Sequence, residues 1–105
     1  MSVSTHVLDA VTGRPARGIA VRLYVDQELV ARGVTDDDGR CRLTDEATGL
    51  GTHRLVFATG QWFAEQGREA FFPEVVLTFA VADPADHHHV PLLLSPFAYS
   101  TYRGS

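Results

Sequence analysis

About eight short runs of alternating side chains, separated by turn signals at roughly eight-to-twelve-residue spacing, leave this chain little choice but an all-β fold. Successive side chains on a strand point to opposite faces, so such a run is stable only when one face packs on another layer. Ser2 to Asp9 sets Val3, Thr5 and Val7 against Ser4, His6 and Leu8. Ile19 to Val25 aligns Ile19, Val21, Leu23 and Val25, with Arg22 and Tyr24 opposite. Leu29 to Thr35, Cys41 to Leu43, His53 to Ala58 and Glu74 to Val81 continue the series. Between the runs fall Thr12-Gly13-Arg14-Pro15, Asp26-Gln27-Glu28, Asp36-Asp37-Asp38-Gly39 and Asp83-Pro84-Ala85-Asp86, rich in residues that reverse a chain. Thr44 to Gly51 reads as a polar connection. Gln61 to Gln66, holding Trp62 and Phe63 between Gly60 and Gly67, is the one helix the pattern predicts. The expectation is an antiparallel β-sandwich with one short helix, a single domain over residues 1–105.

Composition narrows the function. A net charge of −4 argues against nucleic acid as a partner, and no apolar stretch approaches the ~20 residues of a membrane helix. The first residues lack the basic and apolar regions of a secretory signal, which makes the cytoplasm the expected location. Cys41 is the only cysteine, so an internal disulfide framework is excluded.

The stretch from His87 to Ser105 concentrates the chemistry. Three histidines lead into an apolar run, Ser95-Pro96 turns the chain, and a segment alternating aromatic with small polar residues closes a hairpin. Parity puts His89, Pro91 and Leu93 on one face of its first strand and Ser100 with Tyr102 on one face of its second. A nucleophile elbow such as G-x-S-x-G is absent. Cys41 lies in a short strand with no helix start to lower its pKa, which disfavours a cysteine nucleophile. A shared zinc ion is disfavoured because His87 and His89 face one way and His88 the other, and no cofactor is expected. Taken singly, His6 reads as a hydrogen-bonded strand histidine and Arg40 as a solvated turn residue. Their combination with the terminal cluster points to a site.

Several segments together resemble one family. Thr5-His6-Val7-Leu8-Asp9-Ala10, Asp38-Gly39-Arg40, His87-x-His89-Val90-Pro91-Leu92-Leu93, Ser95-Pro96-Phe97 and the ending Tyr102-Arg103-Gly104-Ser105 look like the 5-hydroxyisourate hydrolase branch of the transthyretin-like family. The resemblance implies two four-stranded sheets, a homotetramer, and active sites in a channel where two dimers meet. It implies hydrolysis of 5-hydroxyisourate to 2-oxo-4-hydroxy-4-carboxy-5-ureidoimidazoline in urate degradation, without cofactor or metal. Carried over residue by residue, His6, Arg40 and His89 are catalytic, while Tyr102, Arg103, Ser105 and His87 contact the small-molecule substrate. One departure is His88, where the family typically carries tyrosine. Two rivals share the fold expectation: a transthyretin-type small-ligand binder, which lacks the histidines and the four-residue ending, and an interaction sandwich in which Arg40 has no role.

Overall fold

The computed structural model of the chain describes residues 2–45 and 48–105, so part of the Thr44 to Gly51 connection lies outside the described residues. Two sheets pack face to face. In the first, β1 (Val3–Asp9) has β8 (His88–Leu94) on one side, with β9 (Tyr99–Thr101) beyond it. On its other side β1 pairs with β5 (Arg40–Thr44) along its first half and with β2 (Arg14–Pro15) at its end. The second sheet runs β4 (Glu28–Val34), β3 (Ala20–Val25), β6 (Gly51–Phe57), β7 (Val75–Val81). The helix α1 (Thr59–Glu65) follows β6.

The sandwich and, among the described residues, its single helix match expectation; two details do not. The first sheet has five strands rather than four, because Arg14–Pro15, a turn by composition, pairs Leu8 with Pro15 and Asp9 with Arg14. Pairing is also not antiparallel throughout, since β1 and β8 run parallel over seven residues from Val3–His88 to Asp9–Leu94. A parallel pair needs a long crossover, and here the whole second sheet and the helix supply it.

Alternation decides what is buried. Val3, Thr5, Val7 and Asp9 of β1 point inward, and Ser4, His6 and Leu8 are half-buried on the outer face. The inner face of β8 gives Val90, Leu92 and Leu94, which meet Val21, Leu23, Leu55, Phe57 and Leu77 of the second sheet. Phe63 of α1 closes the end of this core. Full burial of each such side chain contributes roughly 1.5–3 kcal/mol, so the interior face supplies the stability and the outer face is free for other work.

Asp9 is the exception among the inward residues. Its carboxylate accepts the backbone N–H groups of Val11 (3.0 Å) and Thr12 (3.3 Å) and pairs with the Arg68 guanidinium at 2.7 Å. Arg68 lies over the rings of Phe63 and Trp62, at 4.8 and 5.7 Å from the centroids, and Trp62 Nε1 donates to the Arg17 carbonyl at 2.7 Å. The latch ties the end of β1 to the segment after the helix. Burial by itself raises the Asp9 pKa, but the Arg68 hydrogen bond, the two backbone donors and the Arg68 charge outweigh it and hold the carboxyl below its ordinary value of 3.8.

Removing Arg68 strands a buried carboxylate, so Arg68→Ala should cost about 3 kcal/mol in urea unfolding at neutral pH. Because the Asp9 pKa is depressed, this contribution is present above the ordinary carboxylate value and lost as pH falls through the folded one. The gap between wild type and variant should therefore close below pH 3.8. A gap constant from neutral to acid pH would show that the ion pair is not its source.

Candidate active site

The parallel register of β1 and β8 places Ser4 beside His89, His6 beside Pro91 and Leu8 beside Leu93. On the other flank, antiparallel β5 sets Arg42 beside Ser4 and Arg40 beside His6. The outer face of the sheet thus carries His6, Arg40 and His89 together, as parity anticipates for the two histidines.

The Asp-rich turn fixes where Arg40 enters. Asp36 Oδ1 accepts the backbone N–H of Asp38 and of Arg40, both at 2.9 Å, and Gly39 N–H donates to the Asp36 carbonyl. Gly39 has φ +75°, and a Cβ there would lie 2.4 Å from the Val7 carbonyl oxygen. Only glycine admits this approach, which lets Val7 N–H donate to the Gly39 carbonyl at 2.7 Å. The guanidinium of Arg40 pairs with no carboxylate among the described residues, unlike those of Arg17, Arg42, Arg68 and Arg103.

A cleft of about 210 Å³ opens on this face, lined by Ser4, Arg40, Arg42, His87, His89 and Ser105 among others. Its histidines are tied through serine. Ser4 Oγ lies 2.8 Å from His89 Nδ1 and 3.2 Å from His87 Nε2, and Ser2 Oγ hydrogen-bonds His87 Nδ1. The His87 and His89 rings stack with centroids 6.2 Å apart and 14° between planes. Burial lowers the His89 pKa below its ordinary 6.5, and the charges of His87, Arg40 and His6 lower it further. A neutral imidazole beside an unpaired guanidinium can accept a proton while the cation holds an oxyanion.

The terminal motif divides. Gly104 N–H donates to the His89 carbonyl at 2.8 Å, and a Cβ on Gly104 would fall 2.5 Å from His89 Cδ2 and 3.1 Å from Pro91 Cγ. The backbone lies on the imidazole, and Ser105 reaches the cleft. Tyr102 and Arg103 instead line a neighbouring, more apolar cavity of about 340 Å³, with Val76, Phe79 and His88; His89 borders both. Pro91 explains the split. The bonds Ser95 N–H to Ala98 and Gly104 N–H to His89 O show that alternate residues of β8 face the terminal strand, and Pro91 falls on that side without an N–H. The β9 ladder ends at Thr101, whose Oγ1 donates to the Pro91 carbonyl at 2.7 Å, and strand parity stops applying to Tyr102.

His88 turns inward, buried against Phe79 with ring centroids 6.2 Å apart, and its Nδ1 has no partner among the described residues. Ser4 and Ser2 escape sequence reasoning, and Gly104 enters it only as one residue of the terminal motif. The serines alternate with Val3 and sit two and four residues before His6, the one available signal. Among the described residues no three His, Cys, Asp or Glu side chains gather to hold a metal ion.

Residues 3–104 match the family described as the HIUase/Transthyretin family. The chain belongs to that family. It is 44% identical to the 5-hydroxyisourate hydrolase of Pseudomonas aeruginosa over 98% of this chain and 90% of that protein. The structure of Klebsiella pneumoniae 5-hydroxyisourate hydrolase superposes with a TM-score of 0.93 at 40% identity, covering both chains fully. Sea bream transthyretin in complex with thyroxine gives 0.86 at 32% identity, over 97% of this chain and 93% of that one.

His89 should titrate below pH 6.5, as followed by its Cε1–H resonance in nuclear magnetic resonance. Arg40→Gln removes one of the cations that disfavour its protonation, so the titration should move upward. A shift in the opposite direction would mean that Arg40 does not act on His89 through charge.

Proposed function

We propose that this chain is a cofactor-free cyclic amide hydrolase that opens 5-hydroxyisourate to 2-oxo-4-hydroxy-4-carboxy-5-ureidoimidazoline in urate degradation. The observation that carries this reading is the convergence of His6, Arg40 and His89 on one sheet face, where Arg40 and His89 line an open cleft and His6 is the register neighbour of Arg40. The identity to 5-hydroxyisourate hydrolases over nearly the whole chain supports it.

In this mechanism a flat heterocycle lies in the cleft with its carbonyl edge on Arg40, whose planar fork suits paired carbonyl and ring-nitrogen acceptors. His89 Nε2, the ring nitrogen not held by Ser4, takes a proton from water as its oxygen attacks the carbonyl. His6 assists from the neighbouring strand, and general base catalysis of this kind contributes about 10²–10⁴-fold. Arg40 stabilises the developing oxyanion. Ser105 and His87 bound the substrate, and Tyr102 and Arg103 close the adjoining end. Leu8 and Leu93 sit half-buried on the same face. Apolar side chains beside the site favour covering by another subunit, and the proposed assembly is a homotetramer in the cytoplasm with a cleft shared across the interface. A transthyretin-type carrier would retain ligand without turnover.

Freshly generated 5-hydroxyisourate, followed by its ultraviolet decay, tests the reading directly. His6→Ala, Arg40→Ala and His89→Ala should each lower turnover by about 100-fold or more, with thermal melting little changed. Near wild-type rates in all three would dismiss the assignment.

The same assay applies to the terminus. Gly104→Ala forces a methyl group against the His89 ring, and a displacement near 1 Å can cost about 100-fold in rate. The protein should remain folded, because the contact lies on the outer face. Full activity in this variant would show that the terminal segment does not position His89.

A further inference from the structure

The hydroxyl of Ser4 touches two imidazoles, and counting its protons gives the pair a direction. A serine hydroxyl has one hydrogen to donate, so Ser4 Oγ can donate to only one of His87 Nε2 (3.2 Å) and His89 Nδ1 (2.8 Å), and accepts from the other. His89 Nε2 must be unprotonated to act as a base, so a neutral His89 carries its hydrogen on Nδ1 and donates it to Ser4. Ser4 then donates to His87 Nε2. His87 is left with its hydrogen on Nδ1, where Ser2 Oγ accepts it. Every site in the chain has one donor and one acceptor, with none duplicated.

The chemistry supplies a use for this order. Opening a cyclic amide forms a C–O bond and breaks a C–N bond. The departing nitrogen, being part of a neutral ureide, keeps one proton of the attacking water. The other is released when the new carboxylic acid ionises. One proton per turnover must leave a cleft whose base is half-buried, whereas His87 at the far end is exposed.

We propose that Ser4 and His87 form a proton relay that carries this proton from His89 to solvent, a conclusion that rests on the hydrolase reading above. His89 Nε2 takes a proton of water and returns it to the departing ring nitrogen. The new carboxylic acid then gives its proton to His89 Nε2 as the Nδ1 proton moves to Ser4 Oγ and the Ser4 proton moves to His87 Nε2. His87 becomes an imidazolium and loses its Nδ1 proton to solvent past Ser2. The sequence leaves His89 and His87 neutral in their other tautomers, and reversing the hydrogen bonds restores the starting state. The parallel register provides the track: Ser2 and Ser4 alternate on one strand as His87 and His89 alternate on its neighbour. Ser4 and His87 are relay and positioning residues; neither is required to touch the reacting atoms.

The test uses the full-length protein in dilute buffer without imidazole. Ser4→Ala and His87→Gln should each lower kcat by about tenfold, a fraction of what loss of the base itself costs. Glutamine can keep a hydrogen bond to Ser4 but cannot take up a proton, so it separates a relay from a purely positional role. Adding millimolar imidazole should restore both variants in proportion to its neutral form and leave the wild type unchanged. His87→Gln at the wild-type rate, or a loss in both variants that imidazole does not relieve, would overturn the relay. The controls keep the two conclusions apart. An inactive wild type sinks the hydrolase reading and an active His89→Ala sinks the choice of base, whereas an active wild type with unimpaired relay variants sinks the relay alone.

Discussion

Parallel pairing of the first strand with the eighth is the constraint on which the rest depends. Neither strand carries a complete site. Val3 to Asp9 contributes Ser4 and His6, His88 to Leu94 contributes His89, and their in-register alignment turns two unremarkable alternations into one surface. The same alignment sends Val3, Val7, Val90, Leu92 and Leu94 into a common core. A slip of one residue would expose that core and bury the histidines together, because strand parity links the two faces. Burial of the inner face is therefore what holds the geometry of the outer face, at a magnitude no hydrogen bond in the cleft could match.

Close backbone approach is the second device. At Gly39 the chain crosses β1 so tightly that any side chain would strike a carbonyl, and the crossing aligns Arg40 with His6. At Gly104 it lies on an imidazole. Both contacts are too near for a methyl group, and both set a side chain of the proposed site without enlarging the core. Neither position can carry a larger side chain without displacing its neighbours.

How much of this was legible in the sequence depended on how local the cause was. The direction of His6, His88 and His89 followed from alternation alone, since each strand has one buried face. The parallel partner of β1 did not, because nothing within Val3 to Asp9 names a strand more than seventy residues away. Thr12-Gly13-Arg14-Pro15 reads as a turn, and its first half completes one, but Arg14–Pro15 instead adds an edge to the sheet. Tyr102 was placed by extending a parity that Pro91 interrupts; the missing N–H was in view, but the register that aims it at Tyr102 was not. Ser4 looks like any small polar strand residue until His87 and His89 close over it. The family resemblance named His6, Arg40 and His89 because motif residues survive without knowledge of their contacts, and it was silent on what holds them.

Trp62, the only tryptophan in the chain, donates its indole N–H to the Arg17 carbonyl and lies beneath the guanidinium of Arg68, the residue that pairs with Asp9. Indole emission responds to an adjacent cation and to solvent, so the intrinsic fluorescence of this protein is a local optical probe of the β1-to-helix latch. It samples the opposite end of β1 from Ser4, well away from the histidines. Loosening of the latch would thus register in emission, and an optical signal from this protein reports on the latch end of the sandwich rather than on the cleft.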